Sequence, residues 1–283
     1  MIWTVLHSLN AAQIARARLS RYGVRVNPSC RLARAQRIVQ SSLQYADTEH
    51  LAYDVAQRLL EAHRTIIEWY LISAALGEVA AFSLDALNIA MGGADVPDAD
   101  SDSRPRDLQF ELLVGSLVHH AGITGVSLGE PDIRIQAGAR TLGIAAKRLT
   151  SSAQLSKRVR KATDQIARLD DYGVIAINLD RLATEVAERH GIEMARARVN
   201  ALTTEVHDAA HKLHNGHFVA GVYGFATLIG WQAEDDGVVM VIEAIASGHW
   251  LGPEEDRAKM RDFLSARGAR LEQSLNLLVS RLV

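Results

Sequence analysis

From the N-terminus to about Met91, apolar residues recur at intervals of three and four: Ile14 and Leu19, then Leu51, Val55, Leu59 and Leu60. That spacing lines one face of a helix, so residues 1–92 are predicted to form an α-helical region. The stretch Leu71 to Met91 is apolar enough to raise a membrane span, but Glu78 and Asp85 lie inside it. Each carboxylate would cost about 2.5–3.5 kcal/mol at a bilayer centre, so a helical hairpin inside a protein core is expected and a membrane is not. Between Gly92 and Arg106 the apolar period disappears into Pro97, Pro105, four aspartates and two serines. This reads as an acidic linker over 93–106, with a second domain over 107–283.

Beyond the linker the period changes repeatedly. Ser103 and Pro105 suit a helix start, and Leu108, Leu112, Gly115 and Val118 trace one face to about Ala121. Short strands are predicted at Gly125 to Leu128, Asp132 to Gln136 and Leu142 to Leu149, the last two joined as a hairpin through Ala137-Gly138-Ala139-Arg140. A helix follows from about Ser152 to Leu169, then a continuous apolar strand from Tyr172 to Leu179, of the kind covered on both faces. Another helix is expected to about Leu213, strands at Phe218 to Ile229 and Val238 to Ile245 around the turn Glu234-Asp235-Asp236-Gly237, and a closing helix from Pro253 to Val283. The order helix, three strands, helix, strand predicts an α/β sandwich with mixed strand directions.

Composition adds a compartment and a charge pattern. With 283 residues, 48% of them hydrophobic and only 5 prolines, the chain is suited to one or two packed domains rather than disorder. The single Cys30 allows no internal disulfide and no four-thiolate zinc ribbon, which fits a reducing compartment; a cytoplasmic location is the expectation. Met1 to Leu9 lacks both the basic leader and the long apolar centre of a secretory signal. The net charge of −2 conceals an uneven distribution: Arg16, Arg18, Arg21, Arg25, Arg31, Arg34 and Arg37 precede the first acid, Asp47. Such a run is read as a helical surface meeting phosphate or as a solvated helix face, and only secondarily as an organelle transit segment.

The residues that carry chemistry sit after the linker. Glu111 shares a helical face with Leu108, Leu112 and Gly115, so it is drawn toward the packed side. Glu130 and Asp132 share parity opposite to Ile133 and Ile135, and a turn centred near Gly138-Ala139 brings Asp132 within diagonal reach of Lys147 on the returning strand. Two or three carboxylates and a lysine suit metal-dependent phosphodiester hydrolysis, because hard cations take oxygen ligands and an ammonium can neutralise developing charge. Arg148 at the end of that strand and the next helix add cations: Arg148, Lys157, Arg158, Arg160, Lys161 and Arg168 stand against a single acid, Asp164. A stripe of this kind is expected to follow a phosphate backbone without reading sequence.

Taken together, Glu111, Pro131-Asp132, the strand Gly143-Ile144-Ala145-Ala146-Lys147-Arg148 and Gln165 resemble the PD-(D/E)XK, or restriction-endonuclease-like, nucleases over Asp107 to about Asp180. The resemblance implies an αβββαβ core, Mg²⁺ with Mn²⁺ as a substitute, metal binding by Glu111 and Asp132, orientation of the attacking water by Lys147, and support from Gln165. It also implies DNA as substrate, a homodimer, and a setting in bacterial defence or DNA processing. Ala145 departs from the pattern, standing where the family carries its second acid. Either Glu130 replaces that ligand, with Asp164 or Gln165 as further candidates, or the domain is a catalytically silent module that binds nucleic acid or a protein partner. A third reading is a helical interaction protein whose N-terminal arginines recruit an acidic partner.

Two other groups are weighed against simpler roles. His207, His211 and His214 fall on one helical face, with His217 beyond, at a spacing that could bind zinc. No Glu follows His207 in the metalloprotease arrangement and no Cys is near, so histidines favoured by a helix C-terminus are the expected explanation. Cys30, among arginines and without a base, is not expected to be a nucleophile.

Overall fold

Thr4 opens the first helix with a reciprocal cap: its hydroxyl accepts from the His7 N–H at 3.2 Å, and His7 Nδ1 accepts from the Thr4 N–H at 3.1 Å. The computed structural model describes residues 4–43, 52–79, 82–120, 125–137, 140–169, 173–214, 219–234 and 237–250. Helices α1 (Val5–Arg21), α2 (Arg31–Ser42), α3 (Tyr53–Ala74) and α4 (Leu84–Ala90) make the expected helical N-terminal region. Small residues Ala11, Ala12 and Ala15 let α1 lie close against α3, whose Ile66, Trp69 and Ile72 are fully buried.

Next come α5 (Arg104–His120), β1 (Val126–Gly129), β2 (Asp132–Ala137), β3 (Arg140–Arg148), α6 (Leu155–Ala167) and β4 (Gly173–Asn178), in the helix–three strands–helix–strand order read from the sequence. The chain continues through α7 (Asp180–His190), α8 (Ile192–His214), β5 (Val219–Glu234) and β6 (Gly237–Trp250). The strands form one mixed sheet in sequence order: β1, β2 and β3 antiparallel, β3, β4 and β5 parallel, and β6 antiparallel to β5. Alternate residues of β3 and β4 serve opposite cores. Ile144, Ala146, Val174 and Ala176 pack toward α5 and the N-terminal helices, whereas Ala145, Ile175 and Ile177 pack with Val159 and Ile166 of α6 and Leu202 of α8.

Several boundaries differ from the sequence reading for identifiable reasons. The single helix expected up to Leu213 is two, because Gly191 breaks it at φ +84°, ψ 172°, a backbone conformation open almost only to glycine. Strands β5 and β6 are longer than expected, pairing from Gly221↔Trp250 to Glu234↔Gly237. Glu130 lies in the turn between β1 and β2, so strand parity does not govern it. The segment read as a linker is bound at several points: Asp95 accepts from Arg34 at 2.7 Å, and Asp100 pairs with Arg106. One continuous core joins α1–α4 to α5 and β1–β4 across that segment. No helix among the described residues is long and apolar enough to cross a membrane. His217 and the expected closing helix at 253–283 lie outside the described residues.

Candidate functional site

The β2–β3 ladder ends in this direction at Ile133↔Ile144, and the strands part beside Asp132. The Ala146 N–H, pointing toward β2 without a backbone partner there, donates instead to Asp132 Oδ2 at 2.8 Å. Lys147 Nζ bonds the same oxygen and also donates to the Ala146 carbonyl at 3.0 Å. This ion pair is deeply enclosed, with side-chain exposures of 5% for Lys147 and 11% for Asp132. From α6, Gln165 Nε2 donates to the Pro131 carbonyl at 2.8 Å and reaches Asp132 Oδ1 at 3.3 Å. Gly143 permits this convergence, since a Cβ there would run into Leu169 at the end of α6 and into Pro131 beside Asp132.

Glu111, half-buried on α5, makes no hydrogen bond or ion pair among the described residues. Burial, then the nearby negative charge of Asp132, pushes its carboxyl up to about 7, against the pull of Lys147. Burial also raises Asp132, although Lys147, the Ala146 N–H and Gln165 all favour its charged form. Crowded carboxylates that resist ionising gain most from a cation. Gln165 Oε1 is buried with no hydrogen-bond partner among the described residues. An unpaired amide oxygen bonded through its nitrogen to Asp132 suits a hard cation, so the donors Asp132, Glu111 and Gln165 fit Mg²⁺ or Mn²⁺. Among the described residues no three His, Cys, Asp or Glu side chains are grouped to hold an ion, so water would complete the shell.

The other expected residues divide. Glu130 is exposed and turned to Arg168, 3.3 Å away, rather than to Asp132. Ala145 is fully buried, packed with α6 on the same face of β3 as Lys147. Lys157, Arg160 and Lys161 line an open groove of about 670 Å³ with Arg168, Asp164 and Gln165, so the cationic face of α6 leads to the residue that touches Asp132. Arg148 is not on that groove: it is half-buried on the opposite face of β3, 3.9 Å from Asp107. Arg158 also approaches Asp107 at 3.9 Å and is partly covered. The N-terminal arginines are largely used internally: Arg16 donates to Gln36 at 2.7 Å, Arg18 lies over the Tyr70 ring, Arg34 pairs with Asp95, and Arg31 is buried.

His207 and His211 stack, with ring centres 6.5 Å apart, and His249 from β6 comes within 5.2 Å of His207. The side chain of His214 is outside the described residues. The sequence reading missed His249, which only β5–β6 pairing brings to α8. It also missed a buried polar group around Arg31, Arg64, Glu68, Arg106 and Asp180. The available signal was charge at Glu61, Arg64 and Glu68 interleaved with the buried apolar residues of α3, and Asp180 shortly after the apolar strand β4. No family model, curated protein or solved structure matched the chain.

Proposed function

We propose that the protein is a metal-dependent nuclease hydrolysing DNA phosphodiester bonds, with a PD-(D/E)XK-type site on a restriction-endonuclease-like core. The carrying observation is the enclosed Asp132–Lys147 pair where β2 and β3 part, joined by Gln165 to the cationic groove of α6. In this reading Asp132 and Glu111 hold Mg²⁺, with Gln165 Oε1 as a neutral ligand. When bound, the cation polarises the phosphate and lowers the pKa of water. Lys147, fixed by Asp132 and the Ala146 carbonyl, orients the attacking water and neutralises charge developing on the phosphate oxygens. Lys157, Arg160 and Lys161 bind the strand through its phosphates and select no base.

The test is cleavage of supercoiled and linear DNA in Mg²⁺, Mn²⁺ or EDTA, beside Asp132→Ala and Lys147→Ala. Cleavage is expected only with the cation, and each variant is expected to lose about 100-fold or more. Cleavage that persists in EDTA, or is unchanged in both variants, would sink this reading. A silent module that binds nucleic acid is the second reading, favoured by one observation: Ala145 is fully buried among apolar side chains where an acid would complete the ligand set. Salt-dependent DNA binding without cleavage in the wild type, and cleavage gained by Ala145→Glu, would identify a decayed site.

A further inference from the structure

A second cavity, of about 550 Å³, lies between the N-terminal helices and the ends of β3 and β4. Its size suits a small-molecule ligand. Its floor includes Arg148 and Asn178, the last residues of two adjacent parallel strands, and open α/β sheets characteristically receive ligands at that end.

Hydrogen-bond accounting in this cavity leaves donors over. Arg31 is 1% exposed; its Nη2 donates to the Ala90 carbonyl at 3.1 Å and to Gln109 Oε1, while Nε and Nη1 have no partner among the described residues. Arg64 gives Nη1 to Glu61 and Nη2 to Thr184 and Thr227, and its buried Nε has none. Arg148 makes no hydrogen bond among the described residues, its ion-pair contact being Asp107 at 3.9 Å. A buried guanidinium with unused N–H groups is costly unless an anion occupies the space. The acids nearby are already engaged: Asp180 accepts from the Thr227 N–H at 2.7 Å and from Asn178, and Glu68 accepts from Gln109. Burial, then the charge of Arg106, lowers Arg31 to about 9 and also lowers Arg148, outweighing the pull of the acids Glu68, Asp100, Asp107 and Asp180.

We propose that this cavity binds a phosphomonoester of mononucleotide size, its phosphate held by Arg31 and Arg148. Arg31 keeps Nε and Nη1 and Arg148 its whole guanidinium for the terminal oxygens of a phosphate, while Arg106, already bonded to Asp100 and the Ala94 carbonyl, adds positive charge beside them. Tyr53, Leu60, Val96 and Pro97 supply an apolar wall for the remainder of the ligand. The phosphate has two sources with the same chemistry, a free nucleotide or the 5′-phosphate end of a DNA strand. The site stands apart from Asp132 and Lys147, and the inference does not rest on nuclease activity.

The experiment is calorimetric titration of the full chain in EDTA with inorganic phosphate, the 5′-deoxynucleoside monophosphates and the corresponding nucleosides. At least one monophosphate is expected to bind and its nucleoside to fail. Arg148→Gln is expected to weaken binding by about 10-fold or more. Val96→Trp, which fills the cavity while leaving every arginine in place, keeps the test decisive if Arg148→Gln does not fold, and is expected to abolish binding. Displacement of the bound nucleotide by a 5′-phosphorylated oligodeoxynucleotide, but not by its 5′-hydroxyl counterpart, supports a DNA end as the source. No displacement by either supports a free nucleotide. Failure of every monophosphate to bind overturns the proposal, as does equal binding of the nucleosides or binding unchanged in both variants.

Discussion

At the scale of single residues, the Asp132–Lys147 pair and Glu111 make opposite demands on stability. The pair is enclosed, so removing one partner leaves an uncompensated buried charge, a loss of about 3–5 kcal/mol, whereas removing both leaves none. Urea unfolding of Asp132→Ala, Lys147→Met and the double variant is expected to show a double variant far more stable than the sum of the single losses. Additive losses would mean that the two side chains are not coupled. Glu111 has a folded-state pKa raised to about 7, against about 4.3 in an unfolded chain. The folded state therefore holds that proton more tightly, and the stability it confers is complete below pH about 4.3 and is lost as pH rises through about 7. Glu111→Gln cannot ionise, so its melting temperature is expected to fall less than that of the wild type between pH 5 and 8. Parallel pH profiles would refute this.

Two elements determine how the site meets a substrate and how the chain turns behind it. Helix α6 carries Lys157, Arg160 and Lys161 into the groove, and each phosphate contact contributes about 0.9 to the slope of log affinity against log salt. Lys157→Gln with Arg160→Gln is expected to lower that slope by nearly 2 while leaving sequence preference unchanged, measured by fluorescence anisotropy across a salt series. An unaltered slope would remove α6 from the interface. Behind the sheet, Gly191 separates α7 from α8 with open space around its Cα, so Gly191→Ala meets no clash and tests backbone strain alone. Its expected cost is about 1–3 kcal/mol by chemical denaturation. A loss near zero would show that the break can relax into continuous helix. The α7–α8 break escaped the sequence reading although the apolar period slips there: nine residues, two and a half turns, separate Val186 from Ala195, so Ala183 and Val186 share one face and Ala195 and Val199 another.

At the scale of the whole molecule, the helical region and the sheet are not independent. Leu19, Leu32, Ile66 and Trp69 belong to the same core as Phe110, Ile133 and Ile144. Separating them would expose apolar surface on both sides at about 25 cal/mol per Å². Calorimetric unfolding is therefore expected to give one cooperative transition for α1–α4 and the sheet, with van't Hoff and calorimetric enthalpies in agreement. Two resolved transitions, with α1–α4 melting apart, would show that the shared core is not an energetic unit.

The hydrophobic period by itself determined the helical N-terminus, the order of elements from α5 to β4 and the double-sided burial of β4, because periods of 3.6 and 2 are local properties of the backbone. The diagonal approach of Lys147 to Asp132 was legible for the same reason, since a short turn constrains hairpin register. Where the charges went was set by packing between elements distant in sequence. Arg31 and Arg34 left the expected basic surface for the interior and for Asp95, Arg148 turned from the groove to a buried cavity, Glu130 paired with Arg168, and His249 joined His207 from a distant strand. Long charged side chains have no period of their own. Their partners are chosen by which surfaces the packed elements bring together and by the cost of leaving a buried donor or charge unmet.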